Sequence, residues 1–295
     1  MTQICIFNPE HDLCLANGDK NFVPPRSASL FADNCHNIMQ TLYGNAFTTS
    51  VNTLKQLQLG DFSDIEIIPW GWNAALKQSL LKFGFPEKSL PADDYLAWIR
   101  KMQHRSSFLP LLCESKNISN LNDLNDFLGK NQNIVLKAAW SGSGRGLRRV
   151  FGQLTEKDLA WAKKMIHEQV AFIAEPLRDI ELELALEYDK GAFVGYSLFS
   201  SKNGVYQSNV LLYDSEIEEL INKRTSQLAT QKLRVERWLT ENIFPYYQNP
   251  LGVDCYIDKY NNLYISELNL RHTMGLVAHA FLQRNPDKHR DFYKP

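Results

Sequence analysis

Short apolar runs alternate with amphipathic segments along the whole chain. Runs of about four to eight apolar residues between turn residues are typical of buried strands, and apolar spacings of about three and four are typical of helices. This pattern predicts strands at residues 3–7, 65–70, 133–139, 147–152, 172–177, 181–189 and 191–200, and a hairpin over 252–271. It predicts helices at residues 27–43, 74–84, 93–103, 155–169, 216–241 and 274–283, with further helical residues up to 112.

The order of these segments indicates two kinds of architecture. Strands and helices alternate over residues 1–100, which predicts a small parallel sheet with helices. Beyond them, antiparallel strands joined by turns are mixed with helices, an α+β pattern. We therefore predict an N-terminal α/β domain over residues 1–100, followed by an α+β region.

The overall charge bears on the class of partner. The chain of 295 residues has 33 acidic and 32 basic side chains, for a net charge of −1. No basic field favours a nucleic acid or an anionic membrane. We expect a small-molecule or peptide substrate, and no nucleic-acid or membrane partner.

The N-terminal residues and the cysteines both bear on the cellular compartment. The start of the chain, MTQICIFNPEHDL, lacks the features of a signal peptide, and no apolar run reaches the length of a membrane helix. The cysteines are scattered and lack CxxC spacing, at Cys5, Cys14, Cys35, Cys113 and Cys255. They favour reduced thiols and therefore a cytoplasmic protein without a cysteine zinc site.

The segment IVLKAAWSGSGRGLRRV, residues 134–150, places a lysine before a glycine loop. A Walker A loop needs a lysine and a hydroxyl after its glycines, and a Rossmann fingerprint needs GxGxxG at the start of a helix. Here Gly142, Gly144 and Gly146 are spaced GxGxG and precede a strand-like run. Lys137 precedes the glycines, whereas the lysine of a protein kinase follows them. Either the lysine and the glycine amides bind a phosphate, or this is an ordinary surface hairpin.

The hairpin near the end of the chain predicts that two acids face each other. If the loop at residues 259–262 closes on Asp258 and Leu263, paired positions follow by counting. Asp254 then lies opposite Glu267. Like charges directly opposite each other in a sheet are destabilising, so this pairing requires a reason.

A divalent cation would supply that reason. Glu267 and Asn269 share one face because strand side chains alternate, and Gly252 opposite Asn269 leaves room for a ligand. Arg271 points to the same face. Mg²⁺ takes oxygen ligands and is held by carboxylates together with substrate phosphates. The alternative is a surface hairpin with exposed polar side chains.

The order of these motifs resembles the ATP-grasp superfamily. It runs through Lys137, the glycine loop, AEPL, DIELELALEYD, Asp254 and SELNLR. By this resemblance, ATP is bound by Lys137, Ser141, Gly142, Ser143, Gly144, Gly146, Glu175, Pro176, Leu177 and the ribose-side Glu181. The metal ligands are Asp254, Glu267 and Asn269, and the catalytic cations are Lys137, Arg145 and Arg271. The family has a second basic residue opening the small lobe, and QHRSSF here offers Arg105 instead of a lysine.

The resemblance implies both a fold and an activity. The implied fold is α+β, with two lobes at residues 101–174 and 175–295 that grip ATP, preceded by the small α/β domain. The implied activity is that of an ADP-forming ligase, which activates a carboxylate as an acyl phosphate and joins it to an amine. ATP and Mg²⁺ or Mn²⁺ are the implied cofactors, and a homodimer is common in the family. A kinase acting on a hydroxyl and a non-catalytic ATP-binding protein are the alternatives.

Two loops of the N-terminal region are candidates for substrate contacts. Ligands gather at the carboxyl ends of parallel strands, and NPEHD and PWGWN each follow a predicted strand. The candidate residues are Glu10, His11, Asp12, Trp70, Trp72 and Asn73. The alternative interpretation is a turn with capping residues, and aromatic side chains that belong to the core.

Overall fold

The structure is a computed structural model, and it describes residues 2–54, 62, 64–141, 146–202 and 204–294. The strands are β1 (Thr2–Ile6), β2 (Phe47–Thr49), β3 (Ile65–Pro69), β4 (Lys116–Ile118), β5 (Asn133–Ala138), β6 (Leu147–Phe151), β7 (Phe172–Pro176), β8 (Ile180–Asp189), β9 (Ala192–Lys202), β10 (Val205–Val210), β11 (Leu251–Asp258), β12 (Leu263–Asn269) and β13 (Phe292–Tyr293). The helices are α1 (His11–Asn17), α2 (Arg26–Cys35), α3 (Ile38–Tyr43), α4 (Val51–Leu54), α5 (Ala74–Phe83), α6 (Asp93–Gln103), α7 (Leu121–Lys130), α8 (Glu156–Gln169), α9 (Asp214–Asn222), α10 (Leu228–Asn242) and α11 (Met274–Arg284). Short 3₁₀ segments lie at Glu87–Ser89, Arg105–Leu111 and Pro286–Lys288.

The N-terminal strands form the predicted parallel sheet. Its order is β2-β1-β3, and both neighbours of β1 run parallel to it. Helix α5 begins where β3 ends, with Asn73 as its N-cap, because the Asn73 side chain accepts from the backbone N–H of Leu76. The sheet therefore has its strand ends and its helix starts along one edge, as expected for this architecture.

Two antiparallel sheets make up the rest of the fold. One has the order β4-β7-β5-β6, and the other has the order β12-β11-β8-β9-β10-β13. Helix α8 begins with a capping box in which Thr155 and Asp158 satisfy each other's backbone N–H groups. The α+β prediction is thus confirmed.

Two predicted helices are in fact interrupted. Residues 27–43 form α2 and α3, and residues 216–241 fall into α9 and α10. Between α9 and α10 the buried Thr225 accepts from the backbone N–H of Gln227 through its Oγ1. Such local side-chain bonds compete with the helical ladder. Elements such as α1 and β4 were also not predicted, since each is short and held by its neighbours.

The hydrophobic core lies between the six-stranded sheet and the helices against it. Its largest cluster joins α6 and α10 to β8, β11 and β12. A smaller cluster contains Phe7 and Trp70 of the first sheet together with Val277 of α11. The first sheet is thereby packed against the end of the chain. Within the part of the chain described, no helix combines the length and apolarity needed to cross a membrane.

Candidate functional site

A cavity of about 360 Å³ lies where the three sheets meet. The four-stranded sheet contributes Lys137 and Glu175, and the six-stranded sheet contributes Asp254 and Glu267. The carboxyl edge of the first sheet contributes Trp70. Side chains singled out from distant parts of the sequence therefore share one cavity.

The hairpin of β11 and β12 brings the two predicted acids face to face. Asp254 pairs with Glu267, and Gly252 pairs with Asn269, as counted from the sequence. The predicted closure of the loop is wrong, because Ile257 rather than Asp258 pairs with Leu263.

A bulge restores the predicted pairing beyond that point. The loop closes one residue earlier, where the Asp258 N–H donates to the Asn262 carbonyl at 3.0 Å. Cys255 then pairs with Ile265 while Asp254 pairs with Glu267, so Ser266 is the extra residue. The earlier closure of the loop and the extra residue at the bulge shift the register in opposite directions, so Asp254 still pairs with Glu267.

Burial and repulsion act together on Asp254. Its burial and the facing charge of Glu267 raise its pKa to about 8. The Asn269 Nδ2 donates to Asp254 Oδ2 at 3.1 Å. Two carboxylates and an amide oxygen beside a cavity are the donor set that a hard divalent cation prefers. The residues present therefore fit a magnesium ion.

Arg105 connects Glu267 of β12 with the end of β5. Its Nη2 lies 2.5 Å from Glu267 Oε1. Its Nη1 donates to Ser141 Oγ at 2.9 Å and to the Ala138 carbonyl. The guanidinium is buried, with 6% of the side chain exposed. In this arrangement it neutralises a predicted metal ligand and holds the start of the glycine loop.

Lys137 makes a buried ion pair at the centre of the cavity. Its Nζ lies 2.7 Å from Glu175 Oε2 and donates to Ser266 Oγ at 3.1 Å. The bulge explains the second contact, since it turns Ser266 and Glu267 toward the same side. Among the residues that the structure describes, no group donates to the other Glu175 oxygen, Oε1.

The predicted lid is described at its two ends. Ser141 lines the cavity, and the Gly146 carbonyl accepts from the Ala138 N–H at 2.9 Å. The middle of the predicted lid lies outside the described residues, namely Gly142, Ser143, Gly144 and Arg145.

The predicted adenine side forms one end of the cavity. Pro176 and Leu177 line it, and the Leu177 N–H donates to the Asn133 carbonyl at 2.9 Å. Glu181 is exposed and is not part of the lining, because a bulge in β8 falls at this position. Glu183 does line the cavity, and its two oxygens accept from the N–H and Oγ of Ser201 at 2.8 Å each.

Arg271 connects Asn269, one of the predicted metal ligands, to Asp12 on helix α1 of the N-terminal region. Its Nη2 lies 3.1 Å from Asp12 Oδ2 and donates to Asn269 Oδ1 at 2.9 Å. Burial alone would raise the pKa of Asp12. The charge and hydrogen bond of Arg271, together with the charges of His11 and Arg105, outweigh burial and lower that pKa below its ordinary value. This pair holds the guanidinium toward the cavity.

The other candidates from the two N-terminal loops are mostly packed beneath the cavity. Trp70 lines it and stacks on His272 with ring centroids 5.7 Å apart. His11 is fully buried, which lowers its pKa to about 4, and its Nδ1 lies 3.2 Å from Asn73 Nδ2. Burial raises the pKa of Glu10 to about 7. Trp72 is partly buried against the core. Four of the candidates are not part of the cavity lining, namely Glu10, His11, Trp72 and Asn73.

Two acids of the cavity, Glu183 and Glu187, were not predicted from the sequence. Glu187 lies opposite Gly252 on β8, on the face that also carries Glu183 and Ala185. The alternation of 183, 185 and 187 along β8 was the available signal. Without the pairing of β8 with β11, that alternation does not distinguish a site from a solvated strand face.

Comparison with known structures finds extensive likeness at low identity. D-cycloserine synthetase DcsG is 11% identical with a TM-score of 0.55, over 96% of this chain and 99% of that one. N5-carboxyaminoimidazole synthetase from Staphylococcus aureus, complexed with ADP, is 15% identical with a TM-score of 0.52, over 95% of this chain and 76% of that one. D-alanyl-alanine synthetase A from Vibrio cholerae O1 biovar eltor is 14% identical with a TM-score of 0.50, over 98% and 95%. No protein-family profile and no curated sequence matches the chain. At these identities the likeness establishes the fold.

Proposed function

From the ATP-grasp fold of this chain, we propose that it is an ATP-dependent, ADP-forming ligase that joins a carboxylic acid to an amine. The observation that carries the proposal is the direct pairing of Asp254 with Glu267, beside Asn269, in the same cavity as Lys137 and Arg271. In this proposal residues 101–174 and 175–295 are the two lobes that grip ATP, and residues 1–100 close the substrate end.

The reaction needs charge neutralisation more than covalent help from the protein. A carboxylate oxygen of the acid attacks the γ-phosphorus of ATP, and ADP leaves. The amine then attacks the acyl carbon of the resulting acyl phosphate, and inorganic phosphate leaves. Cations positioned around the transferred group stabilise such a transition state.

Asp254, Glu267 and Asn269 are the residues that would hold magnesium or manganese. When bound, the ion supplies positive charge beside the phosphate oxygens. Asp254 is destabilised as a carboxylate by burial and by Glu267, and this supports a role in which it faces a cation. Arg105 neutralises the charge of Glu267, and in this proposal it also contacts a phosphate of ATP.

The remaining basic groups have separate tasks in this proposal. Lys137 on β5 reaches the phosphates from the strand, and Glu175 fixes its direction. Arg145 and the lid glycines close over the phosphates and exclude water from the acyl phosphate. Arg271 is held by Asp12. Its guanidinium makes a bidentate contact with the acyl phosphate or with the carboxylate of the acid.

A screen of ADP release tests the proposal. The purified protein is supplied with magnesium and ATP, and with amino acids, dipeptides and small carboxylic acids in pairs with amines. We expect ADP release that requires both an acid and an amine, a condensed product by mass spectrometry, and a hydroxamate when hydroxylamine replaces the amine. ADP release with a hydroxyl compound and no hydroxamate would indicate a kinase. ATP binding without turnover across the screen would indicate a binding protein.

Replacing the cavity lysine should separate its structural and chemical roles. Lys137→Met leaves the buried Glu175 carboxylate without its cation, and breaking a buried pair in this way costs about 3–5 kcal/mol of unfolding free energy. The double variant Lys137→Met/Glu175→Gln should recover most of that stability in a denaturant titration. It should still release ADP at least about tenfold more slowly than the unmodified protein, because the phosphate contact is absent. Recovery of ADP release together with stability would show that Lys137 is only structural.

A further inference from the structure

Glu187 is a buried carboxylate inside the cavity, with 1% of the residue exposed. Its two oxygens each have one hydroxyl donor. Ser197 Oγ donates to Oε1 at 3.0 Å, and Thr273 Oγ1 donates to Oε2 at 2.7 Å. The orientation of the carboxylate is therefore fixed from both sides.

The backbone around Glu187 approaches more closely than any side chain would allow. A Cβ atom at Gly275 would lie 1.9 Å from Glu187 Oε1, and one at Gly252 would lie 2.9 Å from Oε2. Glycine at both positions admits the carboxylate. A location shaped by two glycines and two hydroxyls is a built site rather than an accidental burial.

Among the described residues that line the cavity, none forms an ion pair with this carboxylate. Among the cations that line the cavity, Lys137 pairs with Glu175 and Arg105 with Glu267. Arg271 pairs with Asp12, and Arg178 pairs with Glu114. Across residues 2–54, 62, 64–141, 146–202 and 204–294, no salt bridge includes Glu187. Burying a carboxylate without a cation is costly, and a cationic ligand would offset that cost.

The position of Glu187 along β8 places it beyond the acid pair. Ala185 is the partner of Asp254, and Glu187 is two residues further along the strand. At about 3.3 Å per residue this is about 7 Å farther from the Pro176 end of the cavity. A reactant bound at Glu187 would approach the γ-phosphoryl group from the side opposite the adenine.

An aromatic wall lines the same end. Trp70 stacks on His272, the residue next to Thr273. Phe7 meets Trp70 edge-on at 5.1 Å and Phe31 at 5.8 Å between ring centroids. The side chain of Phe31 is 42% exposed at the cavity. This wall of the cavity is therefore apolar.

We propose that Glu187 binds the ammonium group of the amine acceptor, and that the acceptor carries an apolar side group that packs on Phe31 and Trp70. The inference rests on the proposed function, because the ligase reaction is what brings an amine to this end of the cavity. A charge-assisted hydrogen bond from the ammonium to the carboxylate fixes the nitrogen. The ammonium then gives one proton to Glu187, which leaves the neutral amine that attacks the acyl carbon. Glu187 is thus a specificity-determining residue for the second substrate.

Binding measurements test this without requiring turnover. Phenylalaninamide, leucinamide and glycinamide carry the same ammonium group with different side groups, and N-acetylphenylalaninamide lacks the ammonium. Calorimetric titrations are made in the presence of magnesium and adenosine 5′-(β,γ-imido)triphosphate. We expect the unmodified protein to bind phenylalaninamide and leucinamide more tightly than glycinamide, and the acetylated compound at least about tenfold more weakly.

Glu187→Gln should weaken the binding of phenylalaninamide at least about tenfold while leaving nucleotide affinity unchanged. Glutamine keeps the size of the side chain. Its carbonyl oxygen accepts from one of the two hydroxyls and its NH2 donates to the other, so we expect the variant to fold. Glu241→Gln, the same change at an exposed position of α10, is the matched control. Equal binding by Glu187→Gln, equal binding of the acetylated compound, or no amide binding by the unmodified protein would each overturn the proposal.

Failure of this inference is distinguishable from failure of the proposed function. Amide binding that depends on Glu187, without any amine-dependent ADP release, would retain the site and reject the ligase. Amine-dependent ADP release with an amine affinity that ignores Glu187 would retain the ligase and reject this role for Glu187.

Discussion

Replacing Glu267 by glutamine is expected to lower magnesium-dependent ADP release by at least about 10²–10³-fold. Glutamine preserves the size of the side chain but removes one of the two facing charges that attract the metal ion. It also removes the charge that Arg105 neutralises at 2.5 Å, so a cation is left without its partner. The measurement is the rate of ADP formation across a range of magnesium concentrations.

The control for this prediction is the same chemical change outside the cavity. Glu241→Gln on the exposed face of α10 should keep the rate and the magnesium dependence of the unmodified protein. Thermal unfolding of both variants shows whether they are folded. Unchanged turnover in a folded Glu267→Gln protein would refute the assignment of Glu267 to the metal and, with it, the main support for the ligase proposal.

Replacing Asp254 by asparagine is expected to stabilise the protein when magnesium and nucleotide are absent. The pKa of Asp254 in the folded protein is about 8, above its ordinary value of 3.8, because of burial and the charge of Glu267. The folded state therefore holds a proton that the unfolded state releases, and stability falls as pH rises from about 4 to 8. Asparagine cannot ionise, so its advantage should grow over that interval to about 1–4 kcal/mol.

Denaturant titrations at pH 5 and pH 8.5 measure this difference. The advantage of Asp254→Asn should be small at pH 5 and largest at pH 8.5. Burial also raises the pKa of Glu187 and of Glu10 to about 7. Both proteins contain these groups, so only the interaction of Glu187 with Asp254 contributes to the difference, and it acts in the same direction. Addition of magnesium and ATP should reverse the order, because the charged carboxylate binds the metal ion more strongly than a neutral amide oxygen does. An equal advantage at the two pH values would contradict the electrostatic explanation.

The facing acids were predictable, although the route to them was partly wrong. Alternation along a strand and the length of a turn gave the pairing of Asp254 with Glu267. The turn closes one residue earlier than counted, and the bulge at Ser266 compensates. Neither a turn closure nor a bulge has a strong sequence signal when the loop, KYNN, contains no glycine. The pattern of apolar residues therefore fixes which face is buried more reliably than it fixes the pairing near a turn.

Other features depend on neighbours that one segment cannot specify. Arg105 was predicted as a basic nucleotide contact, and in the structure it lies between Glu267 and Ser141. In the sequence, Glu187 is one polar position of an alternating strand. Only the structure shows that Gly252 and Gly275 pack against its carboxylate. The helix α1 is short, and its residues His11 and Asp12 are buried through contacts with distant segments. In each case tertiary packing decides the role of the residue.

The turn of the β11–β12 hairpin offers a place to attach a reporter. Tyr260 is 72% exposed. It lies two residues after Asp258, and Asp258 is about 13 Å along the strand from Asp254. A fluorophore on Tyr260→Cys, with the exposed Cys113 changed to serine, would be rigidly joined to the paired acids without touching them. A second dye on residues 101–174, the other proposed lobe, would then turn the distance between the two proposed lobes into an optical signal, and nucleotide binding could be followed in real time.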